Sequence, residues 1–480
     1  MPNYAYDRLS FLDQSFLTLE SHTQHMHVAG VGLYDAGSLR KPDGGIDADR
    51  IRAYIESRLS LIPRYRQILA HTPVEGRPVW VDDPHFNIQY HVRHSALPKP
   101  GDERQLKRLA GRIAGQPLDR SRPLWEIWIV EGCEHGDRFA MIVKVHHAVV
   151  DGISGVDVLS VLLKPQATEE FEPAPRWIPR PTPSSLQLLG AEAVRRLKAP
   201  LMAAIHAQRS IERVQDPRGD LQTMARAAAG SLSRMLRPVS ATPLNQPIGP
   251  HRRFDWSTTS LADVKEVRRA LGGSVNDVVL ATVTGAMRRY LENRRVNVDT
   301  LDFRVMAPVS VRSPNERGTL GNRVAAWMVD LPLSERDPRR AIDRIRETTE
   351  ELKSQKDAMG AEVLTKVVAW SPSTLLTVGA RLMPRAYPFN LVVTNVPGPQ
   401  QPLYLLGSRM LVNYGLVPLT DYLGLGIVIF SYDGTLSWGY NADWDLVPDL
   451  HDYVLATEEA FKDLQRAARP LEVSSPGDDR

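Results

Sequence analysis

A single cysteine in 480 residues excludes an internal disulfide. That residue, Cys133, lies in the loop-like run EGCEHGD with nothing to mark it as a nucleophile, and its isolation fits a reducing cytoplasm. Long apolar runs are missing too. No stretch reaches the roughly 18 apolar residues of a membrane span, and MPNYAYDRLSF has no basic segment followed by an apolar core, so any membrane association is expected to be peripheral. There is no Walker A loop and no GxGxxG opening a βαβ unit, which argues against nucleotide hydrolysis and a bound dinucleotide. Gly152-Ile153-Ser154-Gly155 lacks the residue that GxSxG needs between Ser and the second Gly, so a covalent serine mechanism is not expected. The pI near 8.8 does not by itself point to nucleic acid, because the basic residues form no aromatic-interleaved strip.

The most informative segment is RFAMIVKVHHAVVDGISGVDVLSVLL, residues 138–163. Phe139, Met141, Val143 and Val145 alternate with Ala140, Ile142 and Lys144 at the period of a strand. From Gly152 onward, Ile153, Val156, Leu159 and Leu163 recur at helical spacing, so His146–Asp151 bridges a strand and a helix. Neighbouring strand residues point to opposite faces, and at most one histidine can serve a given cavity. An imidazole suits proton abstraction near neutral pH, where a positioned base contributes roughly 10²–10⁴ in rate. His147 is read as that base, His146 as an orienting residue, Asp151 as a structural brace and Gly152 as a turn residue whose missing Cβ permits close approach. Two core histidines with an Asp helix cap form the plain alternative. No third ligand has zinc-like spacing, so neither a metal nor a cofactor is expected.

Other candidates are weaker. Ser274–Asp277 falls in the first turn of a long helical pattern, where free N–H groups and the macrodipole favour negative charge. Asn276 there can donate to a developing oxyanion, while simple capping by Ser274 and Asp277 is the competing reading. Pro123, Leu124 and Trp125 open a strand and read as packing or as tunnel lining, and Asn395 ends an apolar strand before the stiff turn Val396-Pro397-Gly398-Pro399. His22, His25 and His27 cluster without evident oxygen or sulfur partners, so packing is preferred to a metal site.

Length argues for two domains. Strands are expected at Val28–Tyr34, Ile88–Val92, Trp125–Val130 and Ala140–Val145, with helices at Ala48–Leu61 and Glu103–Ala114. The later part repeats this texture, with helical Val275–Leu291, strands at Phe303–Pro308, Ala325–Leu331 and Leu391–Asn395, and a hairpin in Ile427–Tyr440 turning at Asp433-Gly434. Between them, residues 164–254 carry 14 Lys/Arg against 7 Asp/Glu although the whole chain is only +3. This segment begins proline-rich and irregular, then turns helix-compatible from Leu186 to Leu236, with apolar residues among arginines. It is read as a linker that either lies on an anionic lipid surface or packs on the protein by its apolar stripe. The boundaries read are 1–170, a linker at 171–250, 251–470 and a polar tail at 471–480.

The string HHxxxDG, present as His146, His147, Asp151 and Gly152, resembles the signature of the CoA-dependent acyltransferases. With LSFLDQSFLTLESHTQHMHVAG (Leu9–Gly30), PLDRSRPLWE (Pro117–Glu126), SVNDVVLA (Ser274–Ala281), APVSVR and LGNR within Ala307–Arg323, and TNVPGPQQPLYLLG (Thr394–Gly407), the chain resembles the bacterial wax ester synthase/diacylglycerol acyltransferase family over nearly its whole length. Only the linker carries no motif. The resemblance implies a mixed α/β fold of two chloramphenicol-acetyltransferase-like domains with the active-site tunnel between them, and the Asn276–Asp277 pair close to it. It implies acyl transfer from long-chain acyl-CoA, a co-substrate, to diacylglycerol or a fatty alcohol, with His147 as base and no acyl-enzyme. The expected setting is the cytoplasm, with a peripheral position on the inner membrane face or on lipid droplets as an open alternative. A carrier-protein-dependent condensation or polyketide-ester acyltransferase, or a non-catalytic lipid-binding protein, would share parts of this pattern.

Overall fold

The computed structural model describes residues 6–149, 155–194, 237–310, 324–368 and 388–469. Two six-stranded sheets organise them. The first runs, edge to edge, Tyr404–Leu405, Ser408–Leu416, His27–Asp35, Arg138–His146, Trp125–Cys133 and Val92–Ala96, antiparallel except for its last pair. Its middle strand, Arg138–His146, is covered on both faces, which is why its apolar residues run on without a polar alternation. Phe139 and Met141 enter one core and Ala140 and Ile142 another. A small antiparallel sheet of Tyr6–Arg8, Pro78–Asp82 and Gln67–His71 lies beside it.

The second sheet runs Val324–Leu331, Phe303–Ser310, Leu391–Pro397, Leu425–Tyr432, Thr435–Asp443 and Arg252–Ser260. Leu391–Pro397 is parallel to both neighbours and the other pairs are antiparallel. Helices Leu261–Leu271, Val275–Asn293, Pro338–Val368 and Leu450–Ala468 pack on it around the largest core. The hairpin turns at Asp433-Gly434, both at positive φ, the geometry a two-residue hairpin loop requires.

The two sheets are not strung one after the other. Ser408–Leu416 leaves the later part of the chain and pairs with His27–Asp35 of the first sheet. A third core joins the halves, setting Leu106, Ala110 and Ile113 of helix Glu103–Ala114 against Phe254, Trp256, Tyr414 and Leu416. Residues 164–194 are laid on the first half: Arg180 makes a two-pronged pair with Asp82, the Arg66 guanidinium lies over the Trp177 ring, and Arg8 pairs with Glu192. The proline-rich part is irregular as expected, and helix begins at 185.

One expected strand is corrected. Ile88–His91 forms a helical turn, started by the Asn87 side chain accepting from the Gln89 N–H, and the strand begins only at Val92. The expected helix over 48–61 is α-helical to Arg58 and tightens to a 3₁₀ turn at Leu59–Leu61, just before Ile62-Pro63, where the residue ahead of proline is steered out of the helical region.

Candidate active site

Strand Arg138–His146 ends in a tight turn, His147–Val149, that carries the candidate base. The His147 N–H donates to the Met26 carbonyl at 2.7 Å, and its ring stacks on Phe16 with centroids 4.0 Å apart. Phe16 is available because Ser10 and Asp13 form a reciprocal capping box that starts helix Phe11–Leu19 directly beneath this turn. His146, the last residue of the strand, is only 1% exposed. Its N–H donates to the Leu124 carbonyl at 3.0 Å, and its Nδ1 accepts from the Ala148 N–H at 3.0 Å. A neutral His146 bonded this way carries its proton on Nε2. Asp151 and Gly152 lie outside the described residues.

Behind His146 sits a buried ionic cluster. His27 is its direct cross-strand partner, and Glu20, the residue that ends helix Phe11–Leu19, places its carboxylate between them. Glu20 Oε1 is 3.2 Å from His27 Nε2, Glu20 Oε2 is 3.5 Å from His146 Nε2, and Arg120 closes the far side at 2.5 Å. Burial pushes the Glu20 carboxyl pKa up, but the close approach of the His146 and His27 rings and the hydrogen bonds from Arg120 outweigh it and hold the group far below the usual carboxylate range. Burial also lowers His27, to about 3 despite the opposing pull of Glu20, and it lowers His25. Lys144, on the next position of the same face, is fully buried. Its Nζ donates to the Ile113 and Gln116 carbonyls at the end of helix Glu103–Ala114 and pairs with Glu126, its cross-strand partner, at 3.3 Å.

Glu20 is the residue the sequence reading missed. The oxygen partner sought for His25 and His27 sits at the end of the preceding helix, and only the return of the chain into the strand brings it to His27. His22 is exposed, and no group of three or more metal-ligating side chains forms among the described residues.

The remaining candidates separate into two sets. Leu124 and Trp125 are buried in the first core; the Trp125 Nε1–H donates to the Tyr65 carbonyl at 2.8 Å, and its ring stacks between Tyr65 and His91. Leu124 and Trp125 adjoin the histidine strand, Leu124 through its bond from His146 and Trp125 as the cross-strand partner of Val145, while the Pro123 carbonyl accepts the Trp125 N–H at 2.9 Å. Asn276 and Asp277 lie in the second half, on the first turn of helix Val275–Asn293. The Asp277 carboxylate is buried and takes hydrogen bonds from the Ser274 N–H and hydroxyl at 2.7 Å and from the Thr349 hydroxyl at 2.8 Å, so it caps the helix and ties it to Pro338–Val368. Beside it, Asn276 is half-buried and its side chain makes no hydrogen bond among the described residues. Asn395 is half-buried opposite Ile429 in the second sheet, and the next residue, Val396, packs against the core of the first half.

The sequence profile of the wax ester synthase/diacylglycerol acyltransferase catalytic domain matches residues 9–279, and that of the family's C-terminal domain matches residues 320–465. A Mycobacterium tuberculosis protein (strain CDC 1551 / Oshkosh) provisionally named a diacylglycerol O-acyltransferase is 36% identical over 473 residues, covering 96% of this chain and 90% of that protein. A second, from strain ATCC 25618 / H37Rv and named a probable diacylglycerol O-acyltransferase, is 32% identical over 475 residues, 95% of this chain and 98% of its own. Among solved structures, the wax ester synthase/diacylglycerol acyltransferase of Marinobacter aquaeolei VT8 superposes with a TM-score of 0.71 at 26% identity, covering 96% of this chain and 99% of that one. The first condensation domain of the calcium-dependent antibiotic synthetase, at a TM-score of 0.58 and 16% identity over 96% of each chain, shares the two-domain fold alone. With both domain profiles matched in order along a chain that carries HHxxxDG, this protein belongs to the wax ester synthase/diacylglycerol acyltransferase family and is an acyltransferase.

Proposed function

We propose that this chain transfers a long-chain acyl group from acyl-CoA to diacylglycerol or a long-chain fatty alcohol, with His147 as general base. The observation that carries the reading is the seating of His147: its backbone is bonded to Met26 and its ring stacked on Phe16, at the end of a strand covered on both faces. In the proposed step His147 takes the hydroxyl proton as that oxygen attacks the thioester carbonyl. The tetrahedral oxyanion collapses, the carbon–sulfur bond breaks, and the CoA thiolate takes the proton from His147, leaving ester and free thiol. Asn276, whose side chain makes no hydrogen bond among the described residues, is the proposed oxyanion donor; losing one such donor typically costs about 2.7–4 kcal/mol in the transition state. Each acyl methylene buried between the halves would add up to about 0.8 kcal/mol to binding.

The lipid setting has its own support. In the helix that begins at 185, Leu186 is 79% exposed, and Leu189 and Val194 are exposed too, while Leu188 is buried. Ile178 ahead of it is 74% exposed between Arg176 and Arg180. Apolar residues turned outward beside arginines favour a peripheral lipid surface over a stripe packed on the protein. No helix among the described residues is long and apolar enough to cross a membrane.

The test is thiol release from palmitoyl-CoA by purified protein with hexadecanol, dipalmitoylglycerol or no acceptor, alongside His147→Ala. Release that depends on acceptor, yields ester and collapses in the variant is the expected result. Equal inactivity of both proteins towards acyl-CoA would shift the reading to a carrier-linked donor or to lipid binding without turnover.

A further inference from the structure

We propose that Gln24 and Asp421, together with Arg252, are positioning residues for the acyl transfer: the second half of the chain holds the loop before His27, and through it the base. The inference rests on His147 being that base. Helix Phe11–Leu19 and strand His27–Asp35 are joined by residues 20–26, which fold as a small closed turn. The Ser21 N–H donates to the Gln24 carbonyl at 2.9 Å, and the Gln24 N–H donates back to the Ser21 hydroxyl at 3.2 Å. Bonded to itself, the turn moves as a unit.

On one side this unit carries the supports of both histidines. The Met26 carbonyl accepts the His147 N–H, and the Glu20 carboxylate faces His27 and His146. On the other side it is gripped by the second half. Gln24 Nε2 donates to Asp421 Oδ2 at 2.7 Å, and the Arg252 guanidinium donates to the Thr23 carbonyl. Those anchors are themselves fixed: Asp421 Oδ1 accepts from the Ile248 N–H at 3.2 Å, and Arg252, almost fully buried, also donates to the Gly249 and His251 carbonyls at 2.7 and 2.9 Å and pairs with Asp443. Hydrogen bonds to charged groups are the strong ones, so the grip is firm where it is made. The grip is long-range: Asp421 lies 397 residues from Gln24.

Loosening the grip lets Met26 and the His147 backbone drift without removing any group from the site. A displacement near 1 Å costs about 100-fold in rate when it misaligns reacting groups, and it leaves the contacts of a long acyl chain in place. The loss therefore falls on kcat.

Gln24 and Asp421 are only half-buried, which makes them the pair to vary, whereas a change at buried Arg252 risks the fold. The full chain carrying Gln24→Leu, Asp421→Leu or both is assayed for thiol release from palmitoyl-CoA, with thermal unfolding recorded for each protein. We expect each single change to lower kcat about tenfold or more with KM for palmitoyl-CoA within about twofold, the double variant to be no slower than the slower single, and Asp421→Asn, which keeps one acceptor oxygen, to recover part of the rate. Gln24→Ala, which adds no apolar bulk, replaces any leucine variant that does not fold. Single variants with kcat within about twofold of wild type, losses that multiply in the double, or a rise in KM at constant kcat would overturn the proposal. His147→Ala in the same assay keeps the two readings apart: activity surviving that change removes the base assignment, whereas failure of the Gln24–Asp421 coupling removes only the positioning pair.

Discussion

Glu20 and His27 put a charged and a neutral group in the same buried place, and each predicts something different. The Glu20 carboxylate, 3.5 Å from His146 Nε2, favours a proton on that nitrogen, which leaves Nδ1 to accept from the Ala148 N–H and to fix the turn beneath His147. Glu20→Gln keeps the shape and removes the charge. It is expected to lower kcat about tenfold or more, part of the roughly 10²–10⁴ that a positioned base supplies, with a visible change in the His146 tautomer by nitrogen NMR. An unchanged kcat would mean that the turn is held by the backbone alone. His27, held neutral down to about 3 in the folded protein, takes its proton near its ordinary 6.5 once unfolded. Between those values unfolding binds a proton, so stability is complete above about 6.5 and is lost progressively as pH falls towards 3. Glu20, displaced in the same sense, adds a second loss at still lower pH. Thermal unfolding across pH 7 to 4.5 should therefore show a falling midpoint, and His27→Gln should flatten the fall; a parallel curve in the variant would assign the acid sensitivity to other groups.

Helix Val275–Asn293 shows how an element's end prepares a site. Asp277 is spent on the cap and on Thr349, which fixes the first turn and leaves Asn276 presented from a rigid start. Thr349→Val removes one donor from a buried carboxylate and is expected to cost about 1–3 kcal/mol in urea unfolding, while Ser274→Ala, which removes the cap, is expected to cost about 0.5–2 kcal/mol. Because both bonds end on Asp277, the double variant should depart from additivity, and additive losses would mean that the two contacts act independently. Local signals made such elements legible in the sequence. Glu103–Ala114 has the observed bounds because its periodicity and its cap lie within its own residues. Ile88–Val92 misled because a five-residue run holds too little period to separate a helical turn from a strand, and the Asn87 cap decided it. The adjacent histidines could be split between two faces by alternation alone, but Glu20 could not be found that way, because what joins it to His146 is the pairing of two strands 119 positions apart at His27 and His146. The burial of Lys144 likewise rests on distant parts of the chain, Glu126 of the neighbouring strand and the end of helix Glu103–Ala114.

At the scale of the whole molecule, strand Ser408–Leu416 belongs by hydrogen bonding to the first sheet and by packing to the second, and glycines make that double membership possible. A Cβ on Gly439 would stand 2.1 Å from the Gly415 carbonyl oxygen, one on Gly415 would stand 2.4 Å from Val428 Cγ1, and one on Gly426 would stand 2.4 Å from Val417 Cγ1. Strand Thr435–Asp443 therefore lies almost backbone to backbone against the crossing strand at Gly439, and the Val428 side chain of Leu425–Tyr432 fills the space over Gly415. Gly439 is outside the left-handed region, so alanine suits its backbone and any damage must come from contact. Gly434, at the hairpin tip, is the opposite case, with φ at +76° and nothing within 4 Å of the place a methyl group would take. Gly434→Ala should cost roughly 1–2 kcal/mol of stability through backbone strain and leave kcat unchanged. Gly439→Ala should cost about 3 kcal/mol or more by forcing the sheets apart, and it should also lower kcat, because the halves that this seam holds together grip the Ser21–Met26 turn and with it the base. Urea unfolding and thiol release at saturating palmitoyl-CoA read the two quantities separately. A Gly439→Ala protein that is destabilised yet turns over at the wild-type rate would mean that the strain relaxes within the second half, and that the docking of the halves tolerates the shift.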